Sequence, residues 1–408
     1  YDQNASSPFF DPEWMFGLSK ENGGLNSADG GYFDIVIGNP PYGFRTVLIK
    51  EQKEYFRKEQ KIEFRSGDSA ELFVKISFDN FTKPNGILAF IIPKKSLYGD
   101  AWEDTRINYW RRYDLKFILD TGKSFDNVLL EASVYKKKKV NVEIKIVSVS
   151  FLGKNGVNNV GKFLLDKLFA ESNTLQIYKA QFPSIIEKIE KIKSREKLVE
   201  GKLGLAIGTD FFSDEETDYK LLKGIDIGRY NIRSNRFLKN REKLKWENAM
   251  SFLKPKVLTQ RLVAHIEKPF PHLKITSCYD DEGIIITNTL MSFEINEKIT
   301  DKFWLGYLNS KFLSWYAYNF VYARAIRGMD FYNFYIQQLP IPNISLNQQK
   351  VFIELVDKIL LNHNANTSKW EKEIDIRIYR LFQLTYEEVK IIDPDFSLSE
   401  QEYNEFKI

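Results

Sequence analysis

Four adjacent residues, Asn39, Pro40, Pro41 and Tyr42, bring together groups that can hold a planar amine. An exocyclic amino group such as that of adenine is a poor nucleophile, because its lone pair is delocalised into the ring. The side-chain carbonyl of Asn39 and the backbone carbonyl of Pro40 can each accept one of its two N–H bonds. Together they favour a more pyramidal nitrogen, with its lone pair aimed at an electrophile. Proline fixes φ and keeps the residue before it extended, so the two prolines hold both carbonyls in a stiff frame. The Tyr42 ring can then stack on the base. With a charged sulfonium as methyl donor, the product nitrogen loses its proton readily and no perturbed general base is required. The plainer alternative is that Pro40-Pro41 only terminates a strand.

The elements around this corner are those of an α/β sheet. Phe33 to Ile37 is a nearly continuous apolar run, the pattern of a strand buried on both faces. The carboxyl end of a parallel strand is where such folds place ligands. Residues 68–83 have helical spacing with Leu72, Phe73, Ile76 and Phe81 on one side. Pro84-Asn85-Gly86 predicts a turn, Ile87–Ile92 a second buried strand, and Leu115–Leu119 and Ala132–Tyr135 two more. Residues 1–31 read as irregular. Residues 183–199 predict a charged amphipathic connector helix, after which short β-like runs separated by turns take over. An aromatic-rich helix is expected over 301–320, and two closing helices over 345–364 and 370–392. The organisation read from this texture is 1–165, 166–200 (connector helix), 201–344 and 345–408 (helical).

Composition excludes some classes. The 408 residues carry 59 Lys and Arg against 55 Asp and Glu, a net charge of +4 that permits nucleic acid without demanding it. One cysteine, Cys278, rules out a disulfide framework and a cysteine zinc site. The three histidines, His265, His272 and His363, are too scattered to suggest a metal. No apolar run reaches membrane-spanning length and no signal peptide is visible, so a cytoplasmic protein with no membrane partner is expected. Aromatic residues make up 15%, which suits either a Phe-filled core or a stacking surface for bases.

With these residues in view, the chain resembles the gamma-class N6-adenine DNA methyltransferases, in particular the carboxy-terminal part of type IIG restriction–modification enzymes. FFDPEWMFG at 9–17 and GYFDIVIGNPPYG at 31–43 are similar to the approach to the family's catalytic motif. GILAFIIPKKSL, LLKGIDIGRY, FLKPKVLTQR, LGYLNSKFLSWY and QQLPIP resemble later family segments. The resemblance implies an α/β fold: a partial Rossmann-like class I methyltransferase sheet, then an α+β target-recognition domain and a helical carboxy terminus. It implies S-adenosylmethionine as cofactor, with Leu72 and Phe73 near its adenine, and double-stranded DNA as partner. Phe125 falls where the family stacks an aromatic ring on the flipped base. Extruding that base costs a few kcal/mol, which stacking between Tyr42 and Phe125 would offset; an apolar plug between strands is the other role open to Phe125.

One departure shapes the expectation. The family's glycine-rich cofactor turn and its acidic ribose ligand should precede Asn39, and neither is present. FLGKNG at 151–156 echoes the turn but reads as a hairpin. The chain is therefore expected to be half of a catalytic domain plus a recognition domain, weak or inactive alone. Its partner is expected to be an upstream segment bearing the cofactor motif and, in type IIG relatives, a nuclease domain. DNA contact is expected from Arg233, Arg236, Lys239, Arg241, Lys243, Arg261, Arg324 and Arg327, each more readily a phosphate contact or a solvated surface group than a base reader. Two competitors share features with this reading. A protein-glutamine methyltransferase uses the same motif, but ends soon after its catalytic sheet. A non-catalytic DNA-specificity module needs no cofactor half. A cytosine-C5 methyltransferase is disfavoured because Cys278 follows Ser277 and not proline. Glu143-Ile144-Lys145 matches the end of a nuclease motif but has no evident acidic partner, and falls in a predicted strand.

Overall fold

The computed structural model describes residues 31–42, 50–58, 61–63, 65–123, 131–138, 143–153, 155–362 and 365–406. The chain forms two compact units, Tyr1–Ala180 and Gln181–Ile408. Each has its own sheet and core.

Among the described residues of the first unit, six strands form one mixed sheet: β1 (Phe33–Gly38), β2 (Thr82–Pro93), β3 (Asp114–Lys123), β4 (Glu131–Lys138), β5 (Ile146–Gly153) and β6 (Gly156–Leu164). Their order is β1-β2-β4-β3-β5-β6. β1 and β2 are parallel, as are β3 and β5, while β4 runs antiparallel between β2 and β3. The connection from β1 to β2 carries α1 (Lys50–Lys58) and α2 (Ser69–Ile76), as a parallel crossover requires. Asp68 starts α2 by accepting a hydrogen bond from the Ala70 N–H at 3.0 Å. Alternation along β2 buries Leu88, Phe90 and Ile92, and Ala70, Leu72, Val74 and Phe78 are buried as well.

Several expectations need correction here. β1 is not buried on both faces: Ile35 and Ile37 are 63% and 79% exposed. Among the described residues the strand ends the sheet order and pairs with β2 alone, so its apolar side chains have the composition of an interior strand without its surroundings. The expected helical stripe also splits. Leu72 is 2% exposed, whereas Phe73 is 42% exposed and looks outward. Pro84-Asn85-Gly86 is not a free turn but lies inside β2, where the register jumps from Phe33↔Thr82 to Ile35↔Ile87 and Asn85 takes φ +64°. Residues 143–145 form a bend before β5, with Ile144 72% exposed, not a strand. The hairpin expected at 151–156 is present, closing β5 on β6 at Gly153↔Gly156.

In the second unit β7 (Val199–Leu203), β8 (Lys256–Gln260), β9 (Ser277–Asp280) and β10 (Leu290–Ile295) form an antiparallel sheet in the order β9-β8-β10-β7. A second four-stranded sheet is built from Ile285–Ile286, Lys220–Leu222, Arg236–Leu238 and Phe212–Ser213. The unit's helices include α3 (Pro183–Ile192), α4 (Asp301–Leu308), α5 (Lys311–Tyr316), α6 (Leu346–Leu361), α7 (Ser368–Leu381), α8 (Tyr386–Ile392) and α9 (Glu400–Glu405). The aromatic helix expected over 301–320 breaks at Asn309-Ser310, because the Ser310 hydroxyl restarts it by capping the Leu313 N–H at 3.2 Å. α3 stops at Ile192, short of the expected 199. It is clamped to α8: Ser184 and Lys188 each donate to the Glu388 carboxylate at 2.6 Å.

Candidate active site

β1 delivers the chain to Asn39 at its carboxyl end. Gly38 allows the close approach, since a Cβ there would lie 3.2 Å from the Phe90 ring. Asn39 and Pro41 are exposed, Pro40 is buried and Tyr42 is half-buried. The corner is tied at two places. The hydroxyl of Ser69, the first residue of α2, donates to the Pro41 carbonyl at 2.7 Å. The Tyr42 hydroxyl lies 2.8 Å from Asn39 Oδ1 and 2.9 Å from the Ile91 carbonyl oxygen on β2. Burial, with the Asp68 carboxylate adding to it, pushes the Tyr42 phenol up to about 12, so it remains a donor at neutral pH.

The start of α2 is itself anchored. Glu71 is fully buried and accepts from the Ser66 N–H at 2.9 Å, the Ser66 hydroxyl at 2.6 Å and the Thr105 hydroxyl at 2.8 Å. Lys75 Nζ stands 3.1 Å from the same carboxylate and 2.6 Å from Asp104. A buried charge satisfied this fully holds its helix rigidly, and Ser69 transmits that rigidity to Pro41. A second buried pair lies near the carboxyl ends of β2 and β3. Lys94 Nζ is 3.0 Å from Asp120, whose carboxylate also accepts from the Gly122 N–H at 2.9 Å and from the Tyr178 hydroxyl. Sequence reading missed Ser69, Glu71, Lys94 and Asp120. The Asp68 cap two residues before Ala70 was the one local signal for a helix starting at Ser69.

The other expected site residues fare differently. Leu72 sits in the core and Phe73 on the surface. Phe125 lies outside the described residues. Of the basic set, Arg236 pairs with Asp214 at 3.3 Å and Arg261 with Asp330 at 3.1 Å, while Arg241 stacks 3.9 Å over the Trp246 ring. Arg324 donates to the Asn319 side chain at 2.7 Å and to Gln181 at 2.8 Å. These four arginines make contacts within the unit. Arg233, Lys239, Lys243 and Arg327 are exposed. Cys278 is fully buried on β9, and burial holds its thiol well above its ordinary value. Among the described residues no group of three or more His, Cys, Asp or Glu could hold a metal, and no helix is long and apolar enough to cross a membrane.

The first unit carries a mixed sheet with a tethered Asn-Pro-Pro-Tyr corner, and the second unit is rich in short strands. Residues 4–126 match the Eco57I restriction-modification methylase family, and residues 219–341 match the TaqI-like C-terminal specificity domain. The first match falls in the first unit and the second match in the second unit.

The chain is 25% identical over 319 residues to a Methanocaldococcus jannaschii protein named as a type II restriction enzyme and methyltransferase, RM.MjaORFECS2P. That alignment covers 69% of this chain and 25% of the relative. The fold is similar to that of the Type IIL restriction-modification enzyme MmeI, solved in complex with DNA, at TM-score 0.51 and 12% identity. The match covers 91% of this chain and 56% of that one. The nuclease-deleted Type ISP enzyme LlaGI, solved with a DNA substrate mimic, scores 0.47 at 10% identity over 81% of this chain and 41% of its own, too weak a likeness to build on. The chain thus spans about a quarter of its curated relative and about half of MmeI.

Proposed function

We propose that this chain is the adenine-gripping and DNA-specificity part of a DNA adenine-N6 methyltransferase in a restriction–modification system, acting on a base extruded from double-stranded DNA. The observation that carries the reading is the tethered corner: Asn39 stands exposed at the end of β1 while Tyr42 and Ser69 fix the backbone behind it.

One hydroxyl proton cannot serve two acceptors, and Tyr42 faces two. With the Asn39 amide turned so that Nδ2 donates to the Tyr42 oxygen, Tyr42 donates to the Ile91 carbonyl and all three groups are satisfied. Asn39 Oδ1 is then left open to the adenine amine. The Pro40 carbonyl takes the second N–H, and the two acceptors bias the nitrogen toward pyramidal geometry. Tyr42 and Phe125 stack on the ring, and exposed Arg233, Lys239, Lys243 and Arg327 meet phosphate.

S-adenosylmethionine is the methyl donor this chemistry takes. Of Leu72 and Phe73, the two residues proposed near its adenine, only Phe73 offers an exposed face. The reading therefore includes an upstream segment as partner. The exposed Ile35 and Ile37 on β1 support a covering element there. A domain organisation of half-catalytic sheet (1–165), connector (166–200), recognition domain (201–344) and closing helices (345–408) goes with it, as does a cytoplasmic location.

The test uses the full-length enzyme. Asn39→Ala is expected to lower methyl transfer to adenine in duplex DNA by about 10²–10³-fold, the loss typical of one oxyanion-hole-type group, with DNA affinity retained. Sequence-selective DNA binding with no methyl transfer by the unaltered enzyme would favour the non-catalytic specificity module instead.

A further inference from the structure

The second unit contains a cleft of about 820 Å³ that takes no part in the reading above. Its walls come from the Ala264–Ile266/His272–Lys274 hairpin, α5, α7 and residues 391–394. Two kinds of group dominate it. Phe270, Trp315 and Tyr318 supply planar rings. Six lysines and arginines line it against two acidic residues, Glu371 and Asp375.

Both acids are already engaged. Glu371 accepts from Arg229, which also donates to the Asn309 carbonyl at 2.8 Å. Asp375 accepts from the Lys311 backbone N–H at 2.9 Å, while Lys311 Nζ turns to Asp393 at 2.7 Å. Lys268, Lys274 and Lys372 stand exposed at the rim and form no ion pair among the described residues. The cleft is therefore lined both by lysines without ion partners among the described residues and by aromatic side chains.

A neutral apolar ligand would gain nothing from these lysines, and a bare inorganic anion nothing from the rings. A planar base joined to phosphate uses both, by stacking and by charge-assisted hydrogen bonds. The volume lies within the range of about 300–1,000 Å³ usual for small-molecule sites. We propose that this cleft binds a free nucleoside phosphate. The claim stands apart from the methyltransferase reading, because no residue of the Asn39 corner contributes to it.

The test is titration of the full chain with AMP, ADP and ATP by calorimetry. Saturable one-to-one binding is expected that weakens with added salt. Lys274→Glu and Lys372→Glu, both at exposed positions, are each expected to weaken it about tenfold, and Phe270→Ala to weaken it similarly. Circular dichroism and melting verify that the variants are folded, and Asn39→Ala should bind nucleotide as the unaltered chain does. The proposal is overturned if none of the three nucleotides binds saturably, or if binding ignores both charge reversals. It is equally overturned if a single-stranded oligonucleotide binds more tightly than any mononucleotide through the same residues, which would assign the cleft to a DNA strand.

Discussion

β1 in the first unit and β8 in the second are short strands in opposite circumstances. Among the described residues β1 has one partner and leaves Ile35 and Ile37 mostly exposed, and the chain leaves it at an exposed polar residue, Asn39. β8 lies between β9 and β10, with Val257 and Leu258 fully buried. Its charged residue, Lys256, is drawn inside and held by Asp280, whose carboxylate also accepts the N–H groups of Glu282, Gly283 and Ile284 at 3.2, 3.0 and 2.7 Å. One strand ends on an exposed polar group and the other locks a buried frame. What differs is burial and the number of partners: exposed Asn39 meets one hydroxyl, whereas buried Lys256 meets a carboxylate and two backbone carbonyls.

The largest expected effect tests the locked end of this comparison. Lys256→Met removes the cation from a buried carboxylate, which costs about 3–5 kcal/mol when one partner of such a pair is lost. Equilibrium urea unfolding of the second unit measures it. A loss under about 1 kcal/mol would show that the backbone donors alone suffice for Asp280, and the contrast with β1 would weaken.

Next comes a pH effect in the same unit. Burial pushes the Asp375 carboxyl up to about 7, against the smaller opposing pull of the Lys311 N–H. Between the ordinary carboxylate range and pH 7 the folded chain therefore keeps a proton that the unfolded chain has released. The stability contributed is full at acid pH and disappears as pH rises through about 7. Asp375→Asn keeps an acceptor for the Lys311 N–H and removes the titration. The difference in unfolding free energy between this variant and the unaltered chain should change with pH from 5 to 7, by at most about 1.4 kcal/mol per unit, and level off above. A pH-independent difference would mean that Asp375 is ionised throughout.

The smallest effect probes the open end. Ile37→Ala on β1 should shift stability by no more than about 0.5 kcal/mol, because the side chain is already in solvent. A core deletion of this size costs about 2–5 kcal/mol. Thermal melts of the chain decide it, and a loss of core magnitude would mean that β1 is covered in solution.

The candidate site was legible where its residues are neighbours. Asn39 to Tyr42 could be read as one device because two prolines constrain what lies beside them. Ser69 and the Ile91 carbonyl, which tie that device down, lie 28 and 49 positions away from the groups they hold, and no local pattern announces them. Among the basic residues the reading saw charge but not its use: Arg241 spends its charge on the Trp246 ring and Arg261 on Asp330. The uninterrupted helix predicted over 301–320 overlooked that Ser310 can both end one helix and cap the next.

Local chemistry written along the chain determined the corner, the alternation that buries β2, and the hairpin between β5 and β6. These depend on φ restriction, periodicity and hydrogen bonds between residues a few positions apart. Only the tertiary structure decided that β1 is an edge, that Phe73 looks outward while Leu72 is buried, and that rings and lysines from distant segments meet around one cleft. Burial and electrostatic compensation depend on which segments lie beside a residue in space, and neighbours in space are not recorded in the residue's own stretch of chain.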